Sequence, residues 1–311
     1  MVKRDKLVQN LAIMMTVLMV IVGNLTNSIN LEAMTTLNRH TVALLLLKSG
    51  KILGINLLLI VVAYYLIRNP LKSQLWRKLW QASWLYSVTL SLLGFSLALI
   101  VYSKQVLLQS VFPNLLNSNS VVTAIIIVSL LSPYLNNGLD NIKNQALLIL
   151  DSVFLALFAV APMLVRLIPS LSSVMLPFND FMWALLIYLL VFSCLRLKNI
   201  TNKKLLCNVK IGSSLLIGIL MGIVILDRWL GFYSGLALAK IVLTGSNNVF
   251  LLFIMMAFWQ LSKRWWQVNQ EQLLTLFGIC LIADHFLLMP AISAYVLKIT
   301  SFDNAFTVLL S

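Results

Sequence analysis

The chain has 311 residues, of which 60% are hydrophobic and only 10% are charged, and its formal net charge is +14. A soluble globular domain carries about 25% charged residues, so this composition excludes a soluble globule. The basic residues are spread over many short segments. We interpret these basic residues as determinants of membrane topology that also contact anionic lipid head groups. Their spread argues against nucleic acid as a partner.

Nine apolar stretches predict membrane-spanning helices, because a helix needs about 20 apolar residues to cross a bilayer core. They cover residues 9–26, 42–67, 80–102, 120–135, 146–168, 181–197, 208–226, 247–262 and 271–289. Each must be helical, since lipid offers the backbone no hydrogen-bond partner. The sequence therefore predicts an all-α polytopic transmembrane bundle of about nine or ten spans, forming one domain over residues 1–311.

The Lys and Arg residues predict the direction in which the chain crosses the membrane. The N-terminus and the gaps after alternate spans hold 15 of the 23: Lys3, Arg4, Lys6, Arg68, Lys72, Arg77, Lys78, Lys143, Arg196, Lys198, Lys203, Lys204, Lys210, Lys263 and Arg264. Short loops rich in Lys and Arg stay in the cytoplasm. We therefore expect a cytoplasmic N-terminus and a multi-pass protein of the plasma membrane.

Two prolines predict helix boundaries. Asn69-Pro70 is expected to end the second span, because the residue before proline is pushed out of the helical region. Ser132-Pro133 is expected to break or kink the fourth span near its inner end.

Asp284 and His285 in the ninth span are the leading candidates for a catalytic site, since ionisable residues at membrane depth are rare and functional by default. Imidazole titrates near neutral pH and a carboxylate can orient it, so the two residues suit a general base or proton relay. Adjacent helix positions do not face each other, so they do not pair with one another. A polar pair bonded to a neighbouring helix is the alternative.

Other polar residues in or near the spans favour structural roles. We expect Asp151, two turns into the fifth span, to act in packing, for example with a basic residue near the cytoplasmic side. Asn56 is expected to bond a neighbouring helix, Asp227-Arg228 to anchor an interface, and His40 to be solvated in a loop. The three cysteines, Cys194, Cys207 and Cys280, show neither metal-ligand nor disulfide spacing, so the sequence predicts no metal site.

Four segments together resemble the acyltransferase 3 family, integral membrane enzymes that acylate sugars and polysaccharides. Residues 122–136, with VTA followed by LLSPYLN, resemble the family's V-T-A-Y and L-L-S-P-F-L-N at the same spacing. GINL at 54–57 and AYYL at 63–66 resemble G-V-N-L-F and S-G-Y-F-L. Residues 183–188 with Arg196 are similar to L-W-F, L-Y-L-I-G-A-Y-I-R, and FGICLIADH at 277–285 resembles F-G-V-Y-L-I-H-D-H.

The resemblance implies O-acylation, such as O-acetylation, of a cell-surface polysaccharide or other glycan. It implies acyl-CoA, for example acetyl-CoA, as the donor substrate and no bound cofactor. His285 would be the base and Asp284 its electrostatic partner. The residues that bind the donor are not predicted.

The chain also departs from the family at positions that matter for chemistry. The family's first span carries an Arg and, about ten residues later, a His; these positions are Ala12 and Val22-Gly23 here, and the family's last helix is expected to be lacking. Acyl transfer needs a base and stabilisation of the developing oxyanion. A catalytically lapsed relative that works with cell-envelope assembly proteins, and a transporter or flippase, therefore remain alternatives.

Overall fold

The computed structural model describes residues 39–69, 75–97, 103–113, 120–162, 180–197 and 270–283, together with Leu252 and Met256. All regular secondary structure in these residues is helical, which confirms the all-α prediction for this part of the chain. The helices are α1 (Arg39–Arg68), α2 (Leu75–Ser96), α3 (Lys104–Val111), α4 (Ser120–Asn141), α5 (Asn144–Leu155), α6 (Asp180–Leu197) and α7 (Gln270–Ala283). A π-helical segment, Ala156–Val160, directly continues α5.

Helices α1, α4 and α6 form the core. Every residue from 57 to 66 in α1 is buried, and so are residues 186–189 in α6. A helix that is apolar on all sides is expected to be surrounded by other elements. Helices α4 and α1 both pack against α6, and α5 packs on it as well.

The three core helices run in the same direction. Asn56 of α1 bonds Trp183 of α6. Further along α1, the Leu66 carbonyl bonds Asn136 of α4, which also bonds Tyr188, further along α6. Along α4, Ser120 meets Asp180 at the start of α6, and Leu139 meets Arg196 near its end. In each pair, later residues of one helix contact later residues of the other, so the helices are parallel.

Helix α4 continues through Pro133 to Asn141, so Pro133 does not break the fourth span. Proline has no N–H and cannot donate to the carbonyl of Ser129 four residues earlier. The Ser132 hydroxyl donates to that carbonyl instead, at 3.0 Å. Side-chain hydroxyls that satisfy a freed carbonyl allow proline inside a buried helix.

The end of α1 agrees with the prediction from Asn69-Pro70, because the helix ends at Arg68. Both the backbone N–H and the side-chain amide of Asn69 donate to the Tyr65 carbonyl, each at 3.0 Å. The side chain thus helps to satisfy one of the last carbonyls of the helix, which have no intrahelical partner.

Helices α2 and α7 pack closely because α7 has a glycine at their contact. An added Cβ on Gly278 would lie 2.8 Å from the Tyr86 hydroxyl oxygen and 2.9 Å from the ring carbon Cε2. Helix α2 presents a buried stripe of mostly small residues: Leu79, Ser83, Ser87, Ser91 and Gly94.

Helix α2 begins five residues before the predicted span and ends at Ser96, with Arg77 and Lys78 exposed in its first turn.

Within the described residues, two helices, Ser49–Arg68 and Ser120–Asn141, are long and apolar enough to cross a membrane, and Asn144–Val160 is a shorter apolar helix. Many large apolar side chains face outward: on α2 Trp80, Trp84, Leu85, Leu92 and Leu93, on α4 Ile127, Leu130 and Tyr134, and on α5 and the π segment Leu148, Ile149, Val153, Leu157 and Val160. The predicted spans 9–26 and 208–226 lie outside the described residues, as does all of 247–262 except Leu252 and Met256.

We expect Ser132→Ala to lower the free energy of unfolding by about 1–3 kcal/mol, because it leaves the buried Ser129 carbonyl without a donor. Ser152→Ala is the matched control, since the Ser152 hydroxyl also donates to a backbone carbonyl but lies exposed on α5. We expect the control to stay within about 0.5 kcal/mol of the wild type. Chemical unfolding of the purified variants measures both; equal losses would contradict the role given to Ser132.

We expect Gly278→Ala to destabilise the protein relative to Gly138→Ala by about 1–3 kcal/mol, because the new methyl group overpacks against Tyr86. Gly138 lies in α4 with no atom within 4 Å of an added Cβ. Both substitutions gain the same helix propensity, of about 1 kcal/mol. The difference between the two melting curves therefore isolates the contact, and a difference of zero would show that Tyr86 swings away freely.

Candidate functional site: a buried polar seam

A hydrogen bond between Asn56 and Trp183 joins α1 to α6. The indole N–H of Trp183 donates to Oδ1 of Asn56 at 2.8 Å, and both residues are almost completely buried. Buried indole and amide groups need such partners, because leaving one unsatisfied costs about 1–3 kcal/mol. The prediction that Asn56 bonds a neighbouring helix is confirmed. Among the described residues, its amide nitrogen, Nδ2, has no hydrogen-bond partner.

The side chain of Asn136 joins all three core helices. Its Oδ1 accepts a hydrogen bond from the Tyr188 hydroxyl of α6 at 2.5 Å. Its Nδ2 donates to the backbone carbonyl of Leu66 in α1 at 3.4 Å. Asn136 follows Pro133 by three residues, nearly one helical turn, and is itself buried. An amide suits this position because it accepts and donates at once.

Charged side chains lie at both ends of the α4–α6 pair. The Ser120 hydroxyl donates to Oδ2 of Asp180, and these are the first residues of α4 and α6. At the other end Arg196 donates to the Leu139 carbonyl at 2.6 Å, within the last turn of α4. Acidic groups are favourable near helix N-termini and basic groups near C-termini. We call Asn56, Asn136, Trp183, Tyr188 and Arg196 the polar seam.

A second group of buried polar atoms lies where α5 packs against α6. Asp151 of α5 is only 7% exposed, and the side chain beside it is that of Ser193 in α6. In the part of the chain that the structure describes, Oδ1 of Asp151 and the Ser193 hydroxyl oxygen have no hydrogen-bond partner. The expected basic neighbour is not found: among the described residues the polar group against Asp151 is this hydroxyl.

The polar seam orders helices and does not by itself supply a base. An amide, an indole, a phenol and a guanidinium do not change charge near neutral pH. Acid–base chemistry would need a residue outside the seam. Among the residues described, no three His, Cys, Asp or Glu side chains lie together as metal ligands would.

The predicted catalytic residues Asp284 and His285 lie outside the described residues. Helix α7 ends at Ala283, the position immediately before them. This helix packs mainly against α2 and also touches α1. The structure therefore describes the helix that precedes the pair, and the role of the pair stays a prediction.

Most of the hydrogen-bond partners in the seam are not predicted from the sequence. Trp183 and Tyr188 enter the sequence-based prediction only through the family resemblance, Arg196 also as a basic residue of a cytoplasmic gap, and Asp180 does not enter it. The available signal was the placement of single polar residues in apolar helices, since a buried polar group is nearly always hydrogen-bonded. That signal identifies which residues need a partner, but it does not say which partner.

No protein-family model, no curated protein and no solved structure matches this chain.

We expect Asn136→Ala to lower the free energy of unfolding by about 1–3 kcal/mol, because it leaves the buried Tyr188 hydroxyl and Leu66 carbonyl without their partner. Adding Tyr188→Phe to this variant should cost less than Tyr188→Phe alone, since contacting residues are coupled by about 0.5–3 kcal/mol. Asn137→Ala, at the exposed neighbouring position, is the control. Strict additivity in chemical unfolding would contradict the pairing.

Proposed function

We propose that the protein is a multi-pass membrane O-acyltransferase that moves an acyl group from acyl-CoA to a hydroxyl of a cell-surface glycan. The acceptor would be a polysaccharide or another cell-envelope glycan, and the plasma membrane would be its location. The proposal rests on the resemblance to the acyltransferase 3 family together with contacts in the core.

The observation that carries the proposal is that three of the four resembling segments bond to one another. Asn56 comes from the segment at 54–57, Asn136 from the segment at 122–136, and Trp183 and Tyr188 from the segment at 183–188. The side chains are amides and aromatics that the motifs place at isolated positions in apolar helices. Segments chosen for their likeness to one family thus meet at a single buried seam, which supports a shared scaffold.

The outward-facing side chains support a membrane location. Large apolar side chains exposed along α2, α4 and α5 suit contact with lipid tails. At the start of α2 the Arg77 guanidinium lies 5.4 Å from the centre of the Trp76 ring. Basic and tryptophan side chains together are typical of the membrane–water interface.

In the proposed reaction a glycan hydroxyl oxygen attacks the thioester carbon of acyl-CoA. His285 accepts the hydroxyl proton as the carbon–oxygen bond forms, the carbon–sulfur bond breaks, and the coenzyme A thiolate leaves and takes up a proton. Asp284 provides a nearby negative charge that stabilises the imidazolium. A general base typically contributes about 10²–10⁴-fold in rate.

A catalytically lapsed relative is the second candidate, and one specific feature favours it. The positions of the family's first-span Arg and His are Ala12 and Val22-Gly23, which offer neither a cation nor a base. Such a protein would keep the scaffold and act with cell-envelope assembly proteins. A transporter or flippase is a further alternative.

We expect membranes that contain the protein to transfer label from radiolabelled acetyl-CoA to glycan, and His285→Ala to reduce this transfer by about 10²–10⁴-fold. His40→Ala is the matched control, because His40 and His285 are the only two histidines in the chain. Counting label in extracted glycan, with protein amounts matched by immunoblot, measures the transfer.

Transfer no higher than in membranes without the protein, with the wild-type chain folded and present, would contradict the enzyme and favour the lapsed relative. Equal loss in both histidine variants would show a general effect on folding. Transfer that survives His285→Ala would remove His285 from the mechanism.

A further inference from the structure

The outward side of α2 changes in character along the helix, from cationic to aromatic to aliphatic. Two basic side chains are exposed in its first turn. Two tryptophans, 39% and 46% exposed, follow within about two turns, and exposed leucines come after them. The buried stripe of the helix lies on the opposite side. We call the outward side the α2 face; it consists of Arg77, Lys78, Trp80, Trp84, Leu85 and Leu92.

No acidic residue of α2 balances the two cations. The helix from Leu75 to Ser96 contains neither Asp nor Glu. Arg77 and Lys78 also lie at the positive end of the helix dipole, where basic side chains are not favoured. The Arg77 guanidinium lies 5.4 Å from the centre of the Trp76 ring, a contact that leaves its charge in place. An external anion at this end would be stabilised by both cations and by the helix dipole.

The order of groups along the α2 face matches the order of groups in a phospholipid. The charged phosphate comes first, then the interfacial region in which tryptophan is enriched, then the acyl chains. From Arg77 to Leu92 the helix rises about 22 Å, at 1.5 Å per residue. One leaflet with its head groups is equally deep, half of about 40–45 Å. The basic residues predict that this end of α2 is cytoplasmic, where anionic lipids are concentrated.

The other outward apolar surfaces lack this combination. Helix α4 contains no Lys or Arg and has the exposed acid Asp140 in its last turn. Helix α5 follows a single exposed cation, Lys143, and contains no tryptophan. Among the described residues, exposed tryptophans occur on the α2 face alone. Charge complementarity therefore favours this face over the others as the place for an anionic lipid.

We propose that the α2 face binds an anionic phospholipid of the cytoplasmic leaflet. The phosphate lies against Arg77 and Lys78, the tryptophans contact the glycerol region, and one acyl chain lies along Leu85 and Leu92. A zwitterionic lipid binds more weakly, because the cation in its own head group compensates the phosphate charge. The site depends on the proposed membrane location and is independent of the proposed acyl transfer.

Brominated lipids test the site, because bromine quenches tryptophan emission on contact. The full-length protein is reconstituted in phosphatidylcholine bilayers that contain increasing fractions of brominated phosphatidylglycerol or brominated phosphatidylcholine. Subtracting the emission of Trp84→Phe from that of the wild type isolates Trp84. We expect the relative binding constant of phosphatidylglycerol at Trp84 to be about 5–30-fold higher, since each basic residue near an anionic surface contributes about fivefold.

Replacing both cations, Arg77→Gln with Lys78→Gln, should remove this preference while brominated phosphatidylcholine still quenches Trp84. The swapped variant, Arg77→Lys with Lys78→Arg, keeps both charges and should keep the preference. Lys143→Gln is the matched control, because it removes an exposed cation from another helix end and should leave the preference unchanged. If the double glutamine variant does not fold, the wild type in high salt decides, since exposed charges are screened there.

Equal quenching of Trp84 by the two lipids in the wild type would overturn the site and leave the membrane location standing. Absence of quenching by either lipid would overturn both. A preference that survives the loss of both cations, or that high salt does not reduce, would overturn the role of Arg77 and Lys78. Equal loss in Lys143→Gln would assign the preference to overall charge and overturn a site on α2.

Discussion

The two hydrogen bonds of Asn136 are the interaction on which the core depends, because one amide holds three helices in register. Its oxygen fixes α6 through Tyr188, and its nitrogen fixes α1 through the Leu66 carbonyl. Apolar contacts are non-directional, so on their own they would allow these helices to slide along one another. A buried amide leaves an unsatisfied group at every other register, so it stabilises one arrangement over its neighbours.

The same constraint explains the charges at the ends of the core. Parallel neighbouring helices bring like ends of their dipoles together, which is unfavourable. Asp180 lies where α4 and α6 begin and Arg196 where α4 ends, so each charge opposes the dipole ends beside it. Helices α1, α4 and α6 correspond to the second, fourth and sixth predicted spans. An alternating chain would send these three in the same direction, and their parallel packing agrees with that expectation.

The sequence predicted helix content and several ends well, since these depend on local chemistry. Asn69-Pro70 ended α1 as expected, and Asn56 had the interhelical bond that its isolation required. Pro133 did not break α4, because the adjacent Ser132 supplies the missing donor. The serine directly before the proline is the sequence feature that indicates a continuous helix here. Partner choice could not be predicted: nothing local distinguishes Trp183 from any other donor for Asn56, or Ser193 from a basic residue for Asp151. Asp284 and His285, the predicted chemistry, lie outside the described residues.

The separation of the paired residues has a consequence for biosynthesis. Trp183 is 127 residues after Asn56, and Asn136 is 70 residues after Leu66. At a ribosome speed of about 5–20 residues per second, Asn56 waits roughly 6–25 s before its partner has been made. For that interval the nascent α1 exposes an amide that its finished surroundings would conceal. We therefore expect the nascent α1 to be bound by biogenesis factors that shield polar groups until α6 has been translated.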